Sequence, residues 1–153
     1  MERDNAGVVA PPPLIYAVPL AAGLLLDRVH HVPVLPAPIA RVLGWSLVLL
    51  GTGGTAWFAA TMRSAETPLD PRSPTRTLVT SGPFRYSRNP GYSSFTLIYL
   101  GVALIRNALW PLLLLPAATV VMQRGVIERE ERYLQRKFGA EYTQYKAATP
   151  RWL

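Results

Sequence analysis

Between Val42 and Met62 stand 21 consecutive uncharged residues, VLGWSLVLLGTGGTAWFAATM. A hydrocarbon core about 30 Å thick takes about 20 helical residues to cross, so this run reads as a membrane-spanning helix. Composition argues the same way. Half of the 153 residues are hydrophobic and only 16% are charged, against about 25% in an ordinary soluble domain. A water-soluble chain of this length would need charge over most of its exterior, whereas here the charges are confined to a few short stretches.

The same criterion finds three more spans. No residue from Asn5 to Leu26 is charged, and the mixed-charge leader MERDN lacks the basic character of a signal peptide, so residues 8–26 read as a first span. Pro11, Pro12 and Pro13 suit a helix start, and Pro19 should kink the helix. From Asn89 to Gln123 the sole charge is Arg106, which gives spans at 91–105 and 108–123 joined at Arg106–Asn107 as a tight hairpin. Gly51, Gly53 and Gly54 are of the kind that lets helices approach closely in lipid. The expected fold is an all-α integral membrane protein, a single domain over 1–153. Four transmembrane helices are followed by a tail, 124–153, in which Leu134, Phe138, Tyr142 and Tyr145 recur at amphipathic helical spacing, with a break at Gly139.

Basic residues orient the chain. Arg3, the loop residues Arg63, Arg72, Arg76, Arg85 and Arg88, and the tail residues Arg124, Arg129, Arg132, Arg136, Lys137, Lys146 and Arg151 fall on one side; Arg28, Arg41 and Arg106 fall on the other. The positive-inside rule places the richer side, with both termini, in the cytoplasm, which for a bacterial chain means the inner membrane. The net charge of +7 therefore fits basic loops facing anionic lipid. No basic helix or aromatic–basic alternation stands clear of the apolar segments, so nucleic acid is not an expected partner.

The absence of cysteine excludes disulfides, thiolate metal sites and cysteine nucleophiles. His30 and His31 lie on the sparsely charged side, where Asp27 is too little to complete a metal site, so no metal is expected. Neither a Ser-His-Asp set nor a phosphate-cradling glycine loop is present; Gly51-Thr52-Gly53 lies inside a span. Two features remain. Residues 63–90 form a loop too long for a tether, and its segment LVTSGPFRYSRNP carries a Gly-Pro turn with Phe84 and Tyr86, which argues for order. Glu130 and Glu131 stand four and three residues before Leu134, so both can lean toward the face it buries. By spacing alone a solvated face, like Glu128 with Arg132, is favoured over a carboxylate pair. Arg85 and Arg88 likewise serve as membrane-surface anchors or as parts of a site.

The segments LVTSGPFRYSRNPGY (Leu78 to Tyr92), an apolar hairpin, and EERYLQRKFGAEYTQYKAATPRWL (Glu130 to Leu153) together resemble the isoprenylcysteine carboxyl methyltransferase and phospholipid methyltransferase superfamily, across roughly the C-terminal half. The resemblance implies S-adenosylmethionine-dependent methyl transfer to a lipophilic or membrane-associated acceptor, a carboxylate or an amine. It also implies a cofactor site lined by Leu78, Val79, Phe84, Arg88, Asn89, Pro90 and Tyr92, with Glu130 and Glu131 supplying carboxylates. Glu130, Glu131 and Asn89 are then the expected catalytic residues, and Arg124 a lesser acceptor contact. Carboxyl methyltransferases of the superfamily show Arg-His-Pro where this chain has Arg88-Asn89-Pro90; an amide keeps the capacity to donate and accept hydrogen bonds but cannot serve as acid or base. Gly91-Tyr92-Ser93-Ser94 also lacks the final glycine of the frequent Met-Tyr-x-Gly.

Two other functions are compatible with the residues. One is a nicotinamide-dependent reductase of the membrane sterol-reductase type, whose cofactor phosphates Arg72, Arg76, Arg85 and Arg88 could hold. The other is a non-enzymatic membrane protein whose loop and tail bind a partner or anionic lipid.

Overall fold

The computed structural model describes residues 5–152; Arg3 and Leu153 lie outside the described residues. The described chain is helical: α1 (Pro12–Val29), α2 (Ala37–Ser64), α3 (Pro90–Ile105), α4 (Leu109–Met122), α5 (Glu128–Phe138) and α6 (Ala140–Ala148). Each of the first three helices begins on proline within its first turn, where the ring presets φ and the missing N–H costs no helical bond. The chain runs through Pro19 and remains helical.

Among the described residues three helices are long and apolar enough to cross a membrane: Pro12–Val29, Ala37–Ser64 and Leu109–Phe138. Pro90–Ile105 is a shorter apolar helix. At 28 residues and 1.5 Å per residue, α2 is about 42 Å long and overreaches a hydrocarbon core. Its outward face carries Val42, Trp45, Leu49, Leu50 and Trp57, all exposed in the isolated chain, as a lipid-facing surface would be.

The tail departs from expectation. Instead of a separate amphipathic helix beginning at 124, α4 passes through a π-helical turn, Gln123–Ile127, directly into α5, so that one helix runs from Leu109 to Phe138. A change from apolar to polar composition does not end a helix; a residue that leaves αR does. That residue is Gly139, at φ +53°, which separates α5 from α6. The π-turn has its own support, because the N–H of Val9 reaches the carbonyl of Gly125 at 3.1 Å.

The hairpin expectation also needs correction. Arg106–Ala108 is a tight turn, with Asn107 at φ +52°, but the two arms pack chiefly on other helices: α3 along α2, and α4 along α1. Glycine decides this pairing. A Cβ on Gly44 would stand 2.7 Å from the nitrogen of Ile105, and one on Gly101 2.7 Å from the carbonyl oxygen of Gly44. At Gly51 it would meet the carbonyl of Ser94 at 2.7 Å, whereas at Gly53 it would meet nothing within 4 Å. The close-packing stripe of α2 is thus Gly44 and Gly51, seven residues apart on one face, continued by Gly54 against the Ser94 hydroxyl, and Gly53 is not part of it.

At the end remote from the long loop, Asn107 pins the α1–α2 connection. Its Oδ1 accepts the N–H groups of Val34 and Leu35 at 3.0 and 3.1 Å, and its Nδ2 donates to the carbonyl of Leu35 at 2.8 Å. Trp110 Nε1 donates to the carbonyl of His30 at 2.6 Å, and Asp27 accepts from, or pairs with, His31 Nδ1 at 3.0 Å. This end is tied shut. The opposite end holds a cavity.

Candidate functional site

The last part of α2, residues 65–89, the first turn of α3, α5 and α6 enclose the cavity. Three cross-links hold the loop in place. Thr67 and Thr77 share a hydroxyl bond of 3.0 Å, the Tyr133 hydroxyl accepts the N–H of Thr75 at 3.1 Å, and the Tyr145 hydroxyl donates to the carbonyl of Phe84 at 2.8 Å. Gly82, at φ +58°, turns the chain into the 3-10 segment Gly82–Arg85 that sets Phe84 against Phe58, ring centres 5.8 Å apart.

The C-terminal segment closes the floor. Ser87 Oγ and Asn89 Nδ2 each donate to the carbonyl of Arg151 at 3.0 Å, and the N–H of Arg88 donates to the carbonyl of Pro150 at 2.9 Å. The Asn89 side chain is thereby buried in a hydrogen bond to the tail.

Glu130 and Glu131, adjacent on α5, diverge by about 100° around the helix and find different partners. The Tyr92 hydroxyl lies 2.9 Å from both oxygens of Glu130. Glu131 is buried between two guanidinium groups: Arg88 Nη1 reaches its Oε1 at 2.8 Å, and Arg151 forks onto both oxygens at 2.9 and 2.7 Å. The Tyr142 hydroxyl is 3.5 Å from Arg88 Nη1. Arg88 Nε is buried and has no partner among the described residues, which ordinarily marks a strained group or a missing ligand.

The space open to the centre of a water molecule is about 120 Å³, roughly ten times what a single water needs. Leu78, Val79, Phe84, Arg88, Asn89, Pro90, Tyr92, Glu130 and Glu131 all border this one cavity. Arg124 does not; it is exposed on the π-turn. Other bordering residues carried no sequence signal for a site: Phe58 and Met62 from α2, Asp70 from the loop, and Tyr142 and Tyr145 from α6. The two tyrosines recur at helical spacing, which signals a buried face without a ligand. Arg151 looked like any basic tail residue.

Seven of the eleven residues of Glu128–Phe138 are charged, so Glu130 stands beyond the apolar part of its helix. Glu130 is half-buried and borders the cavity. Burial pushes its carboxyl up to about 7; the negative charge of Glu131 adds to the rise, and the Tyr92 hydrogen bond opposes it. Arg151 is held above the ordinary arginine value, first by its hydrogen bonds to Glu131.

The lining therefore combines three carboxylates, Asp70, Glu130 and Glu131, with one guanidinium and an apolar wall of Phe58, Met62, Leu78, Val79, Phe84 and Leu134. Such a set suits a ligand carrying positive charge, a carboxylate for Arg88 and an apolar or aromatic body. S-adenosylmethionine has all three, so the residues present fit it.

The model of the family described as phospholipid methyltransferase matches residues 39–141, which span α2 through the start of α6. A cobalt-zinc-cadmium resistance protein, CzcN of Cupriavidus metallidurans, is 32% identical over 114 residues, covering 74% of this chain and 49% of that protein. The chain thus spans about half the length of the curated relative it matches. No solved structure matches the chain significantly.

Proposed function

This chain belongs to the phospholipid methyltransferase family, and from that premise we propose that it transfers the methyl group of S-adenosylmethionine to a lipophilic or membrane-associated acceptor, an amine or a carboxylate. In this reading α1 to α4 are four membrane spans, both termini are cytoplasmic, and the cavity opens at the cytoplasmic face. In a bacterium the membrane is the inner one. The observation that carries the proposal is the convergence of Arg88, Asn89, Tyr92, Glu130 and Glu131 on one cavity with an apolar wall.

When bound, the cofactor supplies an electrophilic methyl group on a sulfonium, and the protein's task is to orient and desolvate. Arg88, whose guanidinium borders the cavity, would hold the cofactor's carboxylate. Glu130, steadied by Tyr92, would bind its cationic side. Leu78, Val79, Phe84 and Leu134 would cover its apolar body and exclude water. A carboxylate acceptor arrives ready to react. An amine must lose a proton, and Glu130, pushed up to about 7, is suited to take it near neutral pH. Asn89, held by the tail, would keep the loop–helix junction in place.

A specific observation weighs against the nicotinamide reductase: of the four loop arginines that could grip phosphates, only Arg88 borders the cavity. Arg72 is paired with Asp70 at 2.7 Å on the surface, and Arg76 and Arg85 are exposed.

The test is transfer of labelled methyl groups from S-adenosylmethionine into membrane lipid extracts and simple long-chain amines and carboxylates. Label should enter at least one acceptor class, and Glu130→Ala should lower the rate by about 10²-fold or more. Transfer untouched by that substitution would exclude Glu130 from the reaction.

The pH dependence has a definite sign. Because the folded value of Glu130 lies near 7 and its ordinary value at 4.5, the group is progressively neutralised as pH falls through 7. Affinity for the cationic cofactor should therefore weaken from about pH 8 to about pH 6, by up to about tenfold for a single ionisation. Glu130→Gln should flatten that profile. For stability the sign is opposite: the ligand-free protein is most stable, with respect to this group, below its ordinary value and loses that contribution as pH rises through about 7.

A further inference from the structure

Arg151 does not border the cavity, yet it holds both carboxylate oxygens of a residue that does. Its guanidinium forks onto both oxygens of Glu131 at 2.9 and 2.7 Å, and Arg88 meets the same carboxylate at 2.8 Å. The side chains of Arg88 and Glu131 are each 10% exposed, that of Arg151 32%. Two guanidinium groups share one carboxylate in a mostly buried setting, so the trio holds one net positive charge. The fork of Arg151 takes the better geometry, which leaves Arg88 with a single bond to Glu131 and a buried Nε without a partner among the described residues.

We infer that Arg151 is a positioning residue that acts through Glu131: by occupying that carboxylate it leaves the charge of Arg88, at the cavity wall, only partly compensated, and that charge selects a ligand carrying a carboxylate. The inference rests on the cofactor reading above and adds a residue that touches no ligand. Without Arg151, Glu131 is free to pair fully with Arg88, the pair becomes neutral, and the preference for a carboxylate disappears. The carboxylate is that of the cofactor's amino-acid end. A lipophilic acceptor acid offers the same chemistry, and the experiment separates the two sources.

The experiment measures, by calorimetry on full-length protein in detergent, the affinities of S-adenosylmethionine, its decarboxylated analogue and dodecanoate. The unmodified protein should prefer S-adenosylmethionine to the decarboxylated analogue by about tenfold or more. Arg151→Ala should abolish that preference, leaving the analogue's affinity within about twofold. Arg151→Lys, which keeps charge but not the fork, should fall between. The decisive variant is Glu131→Gln combined with Arg151→Ala: with the competing carboxylate gone, Arg88 regains its free charge and the preference should return. A merely structural Arg151 would instead weaken both analogues together, and the double variant would be worse than either single one; that result overturns the inference. Should Arg151→Ala fail to fold, the ratio in Arg151→Lys decides, and a ratio equal to that of the unmodified protein overturns it. Equal affinity of the unmodified protein for the two analogues, with dodecanoate binding that follows Arg151, assigns the carboxylate to the acceptor and overturns the cofactor assignment. Binding of neither analogue refutes the proposed function itself.

Discussion

Glu131→Ala should destabilise the folded protein by on the order of 3–5 kcal/mol, the cost typical of removing one partner from a buried ion pair. The carboxylate receives Arg88 at 2.8 Å and both arms of Arg151. Deleting it leaves two guanidinium groups facing each other, that of Arg88 10% and that of Arg151 32% exposed. Whole domains are stable by only about 5–15 kcal/mol, so this one side chain governs whether the cavity end stays assembled. Glu131→Gln, which keeps the shape and one acceptor, should cost less. Glu131→Ala combined with Arg151→Ala should recover part of the loss, because one stranded charge goes with it. Apparent melting temperatures in detergent check the order. A Glu131→Ala protein as stable as the unmodified one would mean that the trio contributes nothing to folding.

Gly101→Leu should be comparably damaging for an unrelated reason. Even a first carbon on Gly101 would stand 2.7 Å from the carbonyl oxygen of Gly44 and 2.8 Å from the nitrogen of Val48, and backbone atoms cannot rotate aside as a side chain can. Replacing glycine within a helix gains roughly 1 kcal/mol of helix propensity. Overpacking typically costs 1–3 kcal/mol, and a contact with backbone on a neighbouring helix belongs at or above the top of that range. The contact wins. We expect loss of about 3 kcal/mol or more, read as poor recovery of monodisperse protein and a lowered melting temperature. Gly53→Leu, at a position with nothing within 4 Å, is the control and should change little. Equal behaviour of the two variants would refute the α2–α3 packing described here.

These two positions also show what a sequence can and cannot convey. Uncharged runs mark membrane helices because the bilayer penalises every unpaired polar group, so the apolar segments were legible from composition. Which helices face each other was not. Gly51, Gly53 and Gly54 look alike in the chain, and only the rotation of α2 against α3 separates Gly51 from Gly53. The join between α4 and α5 was hidden for a similar reason: polarity changes at Arg124, but a helix continues until something such as Gly139 stops it.

The site was legible through resemblance to a family and hardly at all through physics. Spacing put Glu130 and Glu131 near the face of Leu134, yet a solvated face explains the same spacing. What distinguishes the two glutamates, Tyr92 on one and a pair of arginines on the other, comes from residues 20 to 43 positions away. Arg151 could not be singled out among 16 basic residues, because its importance lies in the carboxylate it meets across the fold. Arg124, which the family pattern brought forward, sits outside the cavity on the turn that carries α4 into α5.

The central claim is that this cavity holds S-adenosylmethionine, and direct titration of detergent-purified protein by calorimetry tests it. The account predicts a single saturable site per chain, weakened at least about tenfold by Glu130→Ala, with no heat from NADPH under the same conditions. Absence of S-adenosylmethionine binding across a range of lipids and detergents, or saturable binding of NADPH in its place, would contradict it.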